Sequence, residues 1–96
     1  MNDRCFERSE GFVEQNVGEE TILVPLVDSV AKMNEVITLN ELGTFIYHLL
    51  SETRSFAELL AKILEEYEVE EKDAAKDLNL FLSNALEKKI IFEKSC

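Results

Sequence analysis

The chain has 96 residues, 46% of them hydrophobic, with 20 acidic side chains against 10 basic ones and a net charge of −10. That length supports one modest hydrophobic core and so a single domain over 1–96, and the acidic balance repels phosphate backbones and anionic lipid, which disfavours nucleic acid and membranes as partners. No stretch reaches the roughly 18 apolar residues of a membrane helix, and residues 1–6 lack the basic flank and apolar centre of a secretion signal, so a cytoplasmic protein is expected.

In chain order, Gly11 to Val17 reads as a first strand, with Phe12 and Val17 bracketing polar Glu14, Gln15 and Asn16. Gly18-Glu19-Glu20 is a turn signal, and the β-branched, apolar run Thr21 to Val27 completes a hairpin. Pro25 has no amide to donate, so this second strand keeps that position on an open edge or ends its pairing there. Residues 28–34 are too polar for a buried strand and too short for a helix, and read as a loop with room for one helical turn. Glu35 to Leu39 supplies a third, short strand that runs directly into a helix.

Thr38 and Glu41 have capping-box spacing, which starts that helix at Thr38. Leu42, Phe45, Ile46, Leu49 and Leu50 then fall on one stripe at helical period. Ser55 and Glu58 repeat the box ahead of Phe56, Leu59, Leu60, Ile63, Leu64 and Tyr67, which predicts a second amphipathic helix. A third helix opens among Glu70, Glu71 and Asp73 and closes around Lys88-Lys89, with acids and bases placed to suit its dipole. Its core face is Ala74, Ala75, Leu78, Phe81, Leu82, Ala85 and Leu86. Leu80 stands off that face beside Asp77 and Asn84, either as a solitary exposed leucine or as an apolar contact point in a groove. Ile90-Ile91-Phe92 reads as a short terminal strand or wing.

Three strands, about 11–39, followed by three helices over 39–90 and a terminal strand or tail over 90–96, give the expected fold class. It is α+β, a small three-stranded antiparallel sheet followed by a three-helix bundle of winged helix-turn-helix type. Folds of that kind often bind DNA, but the third helix carries Glu70, Glu71, Asp73, Asp77 and Glu87 against four lysines and no Arg, a poor surface for reading a duplex.

Cys5 and Cys96 stand at opposite ends of the chain with no metal-ligand spacing, and read as two ordinary thiols rather than a disulfide or a metal site. His48, the one histidine, reads as a helix-surface residue. Phosphate loops, nucleophile elbows and zinc-binding histidine pairs are missing, so neither catalysis nor a cofactor or metal is expected.

Leu39-Asn40-Glu41-Leu42-Gly43, followed by Phe45-Ile46-Tyr47 and Leu49-Leu50, resembles the "LN-E-x-G-x-x-I-aromatic-x-L-L" core of the PqqD family. Asn40 and Gly43 are its distinguishing residues, because a generic amphipathic helix has no reason to place Gly in its first turn. Trp commonly follows the Ile in the family, where this chain has Tyr47, and the family's Asp-Gly before the second helix is replaced by Glu52-Thr53-Arg54. The resemblance implies a non-catalytic peptide-recognition element. Such an element captures the leader segment of a ribosomally made precursor peptide and presents it to a modifying enzyme, often a radical-SAM protein. In similar domains the leader adds a strand beside the third strand and lies against the third helix. Carried over, the strand role falls to Val36, Ile37 and Thr38 and the helix role to Asp77, Leu80, Phe81 and Asn84, with Lys76 and Lys88 available to acidic leader residues. Because neighbouring strand residues face opposite ways, one of Val36 and Ile37 is expected to face the core. The same open edge would also suit a homodimer or an adaptor unrelated to peptide modification.

Overall fold

The computed structural model describes residues 4–26 and 36–96. The first sheet is built from β2 (Phe12–Val17), β3 (Glu20–Pro25) and β4 (Ile37–Leu39), all antiparallel and in the order β2-β3-β4. β2 and β3 form the expected hairpin, closed by a two-residue turn at Gly18-Glu19. Gly18 has φ +65°, the positive φ that a two-residue hairpin turn needs at its first position. The pairing reaches Phe12↔Pro25 and stops after one further bond from the Leu26 amide to the Gly11 carbonyl, so the proline sits where the ladder ends. β4 pairs with β3 through Thr21↔Leu39, Ile22↔Thr38 and Leu23↔Ile37, and is an edge strand. Alternation sends Thr21, Leu23 and Leu39 into the core. The expected Val27, Glu35 and loop 28–34 lie outside the described residues.

A second three-stranded sheet joins the expected architecture. It has the order β5-β1-β6, made by β1 (Cys5–Arg8), β5 (Arg54–Ser55) and β6 (Ile91–Lys94). Phe6, fully buried, anchors β1. β6 is the terminal strand read from Ile90-Ile91-Phe92, and its partner is the N-terminal segment, in the register Cys5↔Lys94 to Arg8↔Ile91.

That register corrects the reading of the cysteines. Antiparallel pairing of β1 with β6 brings Cys96 beside Cys5, and the two form a disulfide across 91 positions, with Cα atoms 5.4 Å apart. No local spacing announces such a bond, because it depends on the two ends sharing a sheet.

The helices are α1 (Glu41–Leu49), α2 (Phe56–Glu66) and α3 (Glu71–Glu87). The capping box at Ser55 and Glu58 is present in both directions, at 3.1 and 3.0 Å. The first helix starts later than the spacing of Thr38 and Glu41 suggests. Thr38 and Leu39 remain paired with β3, so the cap passes to Asn40, whose Oδ1 accepts from the Gly43 amide at 2.8 Å. Leucines and isoleucines of all three helices meet in one core, with Ile46, Leu50, Leu59, Ile63, Leu78 and Ile90 fully or almost fully buried. Phe45 of α1 meets Tyr67, at the end of α2, edge to face at 5.5 Å. α3 ends in a Schellman turn. The Ile90 amide donates to the Ala85 carbonyl and the Lys89 amide to that of Leu86, with Lys89 at φ 66°. The turn swings Ile90 and Ile91 into the core and aims β6 at β1.

The two sheets are tied by a polar junction. Arg8 of β1 lies 3.6 Å from Glu14 of β2 and 5.2 Å from the ring centroid of Tyr47, and the other oxygen of Glu14 meets His48 Nε2. His48 is therefore half-exposed, as expected for a surface position, and linked to the hairpin.

Candidate functional site

β4 uses one edge on β3 and turns the other toward α3, and between the two lies a cleft of about 460 Å³. Strand alternation and helical period together decide its lining. Ile37 and Leu39 point inward from β4 and form the floor with Leu42, Gly43, Phe81 and Ile90, while Thr38 and Asn40 lie along the strand side. On α3 the residues Asp77, Leu80, Phe81, Asn84 and Lys88 follow the spacing i, i+3, i+4, i+7 and i+11, a single stripe beside the core stripe of Ala74, Leu78, Leu82 and Ala85.

Of the residues singled out from the sequence, Ile37, Thr38, Asp77, Leu80, Phe81 and Asn84 line this one cleft. Val36 does not. It immediately precedes β4 and is 54% exposed, alternating outward where Ile37 turns in. Lys76 also lies outside the lining, whereas Lys88 is part of it. Leu80, at 61% exposed, forms the outer lip. The floor residues Leu39, Leu42 and Ile90 carry no site signal in the sequence, and Gly43 carries one, a glycine in a first helical turn. A Cβ there would stand 3.2 Å from Phe81 Cε1 and 3.2 Å from Asn40 Oδ1, so the missing side chain is what lets the Phe81 ring lie against α1.

Such a cleft can bind an extended peptide. An edge strand offers backbone donors and acceptors, the floor offers apolar space for alternate side chains, and α3 closes the far side. Asp77 and Lys88 stand at opposite ends of the helical stripe, about 16 Å apart along the axis. A bound strand would thus meet an anion at one end and a cation at the other. Among the described residues no group of His, Cys, Asp and Glu could hold a metal ion, and no helix is long and apolar enough to cross a membrane.

Residues 18–91 match the family model described as coenzyme PQQ synthesis protein D (PqqD). Curated protein sequences yield no match. Among solved structures, TbiB1 in complex with the TbiA(β) leader peptide is similar at a TM-score of 0.73 and 25% identity, over 88% of this chain and 93% of that one. A lasso peptide synthetase B1 complexed with the leader peptide is similar at a TM-score of 0.72 and 21% identity, over 91% of this chain and 96% of that one. The family match takes in the hairpin turn, β3, the edge strand, all three helices and hence both walls of the cleft, and by that match the chain belongs to the PqqD family.

Proposed function

We propose that this chain is a non-catalytic peptide-binding module that captures the leader segment of a precursor peptide by strand addition to β4 and presents it to a peptide-modifying enzyme, of the radical-SAM type or another. The observation that carries this reading is the pairing of a free strand edge with an apolar-floored cleft, in a chain whose fold is shared with two proteins solved with leader peptides. Ile37, Thr38, Leu80, Phe81 and Asn84 are the residues proposed to touch the leader, with Asp77 and Lys88 setting its direction. Thr38 presents its side chain to the outer face while its backbone borders the cleft, which is the role a pairing strand needs. The leader is a ribosomal product, so the proposed site of action is the cytoplasm.

The test is an NMR titration of labelled protein with leader segments encoded beside this chain. Saturable shifts centred on 36–39 and 77–88, abolished by Leu80→Asp, are the expected result. If the leaders leave those amides unmoved while duplex DNA or a second copy of the protein shifts them, the reading is wrong.

A further inference from the structure

The outward face of the first sheet is apolar where an exposed antiparallel face should be polar. Register places Val13 opposite Val24, and Leu26 and Val36 continue the outward alternation of β3 and β4. With Val17 these side chains are 37% to 56% exposed, and they are five of the eight large hydrophobics exposed among the described residues. Ile22 crosses the middle of this face between its partners Gln15 and Thr38, which with Glu20 are its polar positions. The one charged group at an outward strand position is Glu20, at the hairpin tip. In a chain with 20 acidic residues, a sheet face with a single carboxylate at its margin is a surface kept clear for a partner.

Two observations say which partner. The chain carries a net charge of −10, so a second copy brings the same charge toward this face and is repelled as a whole molecule. The face is also continuous with the leader site, because β4 belongs to both: Thr38 and Val36 point outward from the strand whose free edge borders the cleft. A leader strand added there would become the fourth strand of this sheet, and its alternate side chains would extend the same outward face. A protein seated on the face would therefore touch module and leader together.

We infer that the outward face of β2-β3-β4 is the docking surface for the enzyme that acts on the bound precursor, through an apolar patch with a neutral or basic rim. This inference rests on the leader-binding reading, and it assigns the enzyme a surface distinct from the cleft itself. Docking on a sheet that the leader completes adds leader contacts to those the module already offers, so enzyme affinity rises with leader occupancy without any movement of the fold.

The experiment uses the full chain, the leader peptide, and the purified modifying enzyme encoded beside it, with affinities measured by titration calorimetry. Val13→Lys with Val24→Lys should weaken enzyme binding at least tenfold while leader affinity stays within twofold. Val13→Thr with Val24→Thr, which keeps strand propensity, should weaken it less and in the same direction. Leu80→Asp should do the reverse, losing the leader while the leader-free affinity for the enzyme is kept. Wild-type enzyme affinity in both valine variants overturns the inference. So does a wild-type dimer in sedimentation that the lysine variant dissolves without change in enzyme affinity, which would assign the face to self-association. If no leader binds the wild type, the leader-binding reading fails separately, and the valine variants still report on the face through the leader-free enzyme affinity.

Discussion

Gly43 and Phe81 show how one residue shapes the cleft. The glycine amide is fixed by Asn40 at 2.8 Å, and its bare Cα faces the Phe81 ring. Gly43→Ala adds a methyl group that the ring must yield to by a few tenths of an ångström, and the ring's way out is into the cleft. Helix propensity favours the alanine by roughly 1 kcal/mol, which offsets the crowding. The expected outcome is a change in urea stability below about 1 kcal/mol with a severalfold loss of leader affinity, read by titration. Unchanged affinity would show that the ring position does not matter to the peptide.

At the scale of the element, each helix end is made differently, and the least favourable is the end of α3. Lys89 takes the left-handed conformation that glycine adopts freely, because the Schellman turn needs it there. Relieving a left-handed non-glycine residue is worth about 1 kcal/mol. Lys89→Gly should therefore raise the unfolding free energy in urea by that increment, with β6 and the core unchanged. A drop in stability would mean that the lysine side chain contributes more than its backbone costs. The start of α1 lies two residues beyond the cap that sequence spacing predicts, for a related reason. Thr38 has the chemistry of a cap and Asn40 does too, and only the pairing of Thr38 with Ile22 decides between them.

At the scale of the whole molecule, the ends of the chain and its charge govern stability. The Cys5–Cys96 bond closes a loop of 91 positions, and cross-links of that span stabilise by about 4–5 kcal/mol through the unfolded chain. Reduction with dithiothreitol should lower the urea stability by an amount of that order, as should Cys5→Ser with Cys96→Ser. A fall below about 1 kcal/mol would mean that β1 and β6 hold together without it. In a reducing cytoplasm the bond would stay open, so this measurement also says how much stability the proposed site of action forgoes.

The pH dependence has two opposed parts. Glu41 shares a hydrogen bond with Glu19 and faces Glu66, which holds its carboxyl above the ordinary range. A raised carboxylate pKa penalises the folded state at neutral pH, and the penalty is lifted as pH falls toward about 4.5. Glu7, bonded by Thr53 and Lys94, and Glu93, bonded by Arg4, are shifted the other way. Their contributions are present above about pH 4.5 and lost as pH falls through their lowered values. Stability should thus rise from pH 7 toward the acid side as the Glu41 penalty is lifted, and fall below about 4.5 as the Glu7 and Glu93 contributions are lost. Glu41→Gln should flatten the rising limb in urea unfolding while leaving the acid limb in place, and an unaltered rising limb would clear Glu41 of the effect.

Local pattern was enough for the elements that carry their own signal. The hairpin is legible from Gly18 ahead of the β-branched run of β3, α2 from its capping box, and the core stripe of α3 from helical period, which sets Leu80 apart from Leu78 and Leu82. These features depend on residues within a few positions of one another, so the sequence by itself determines them. The family motif likewise sits within residues 39–50. What spans the chain had no such signal. The second sheet needs β1, β5 and β6 brought together from 5, 54 and 91, and the disulfide follows from that sheet. The floor of the cleft and the apolar outward face needed a register as well. Which of Val36 and Ile37 turns inward depends on Ile37 lying opposite Leu23, and a shift of one residue would exchange them. Tertiary structure alone decided these, because pairing partners distant in sequence set which face of each strand meets the core.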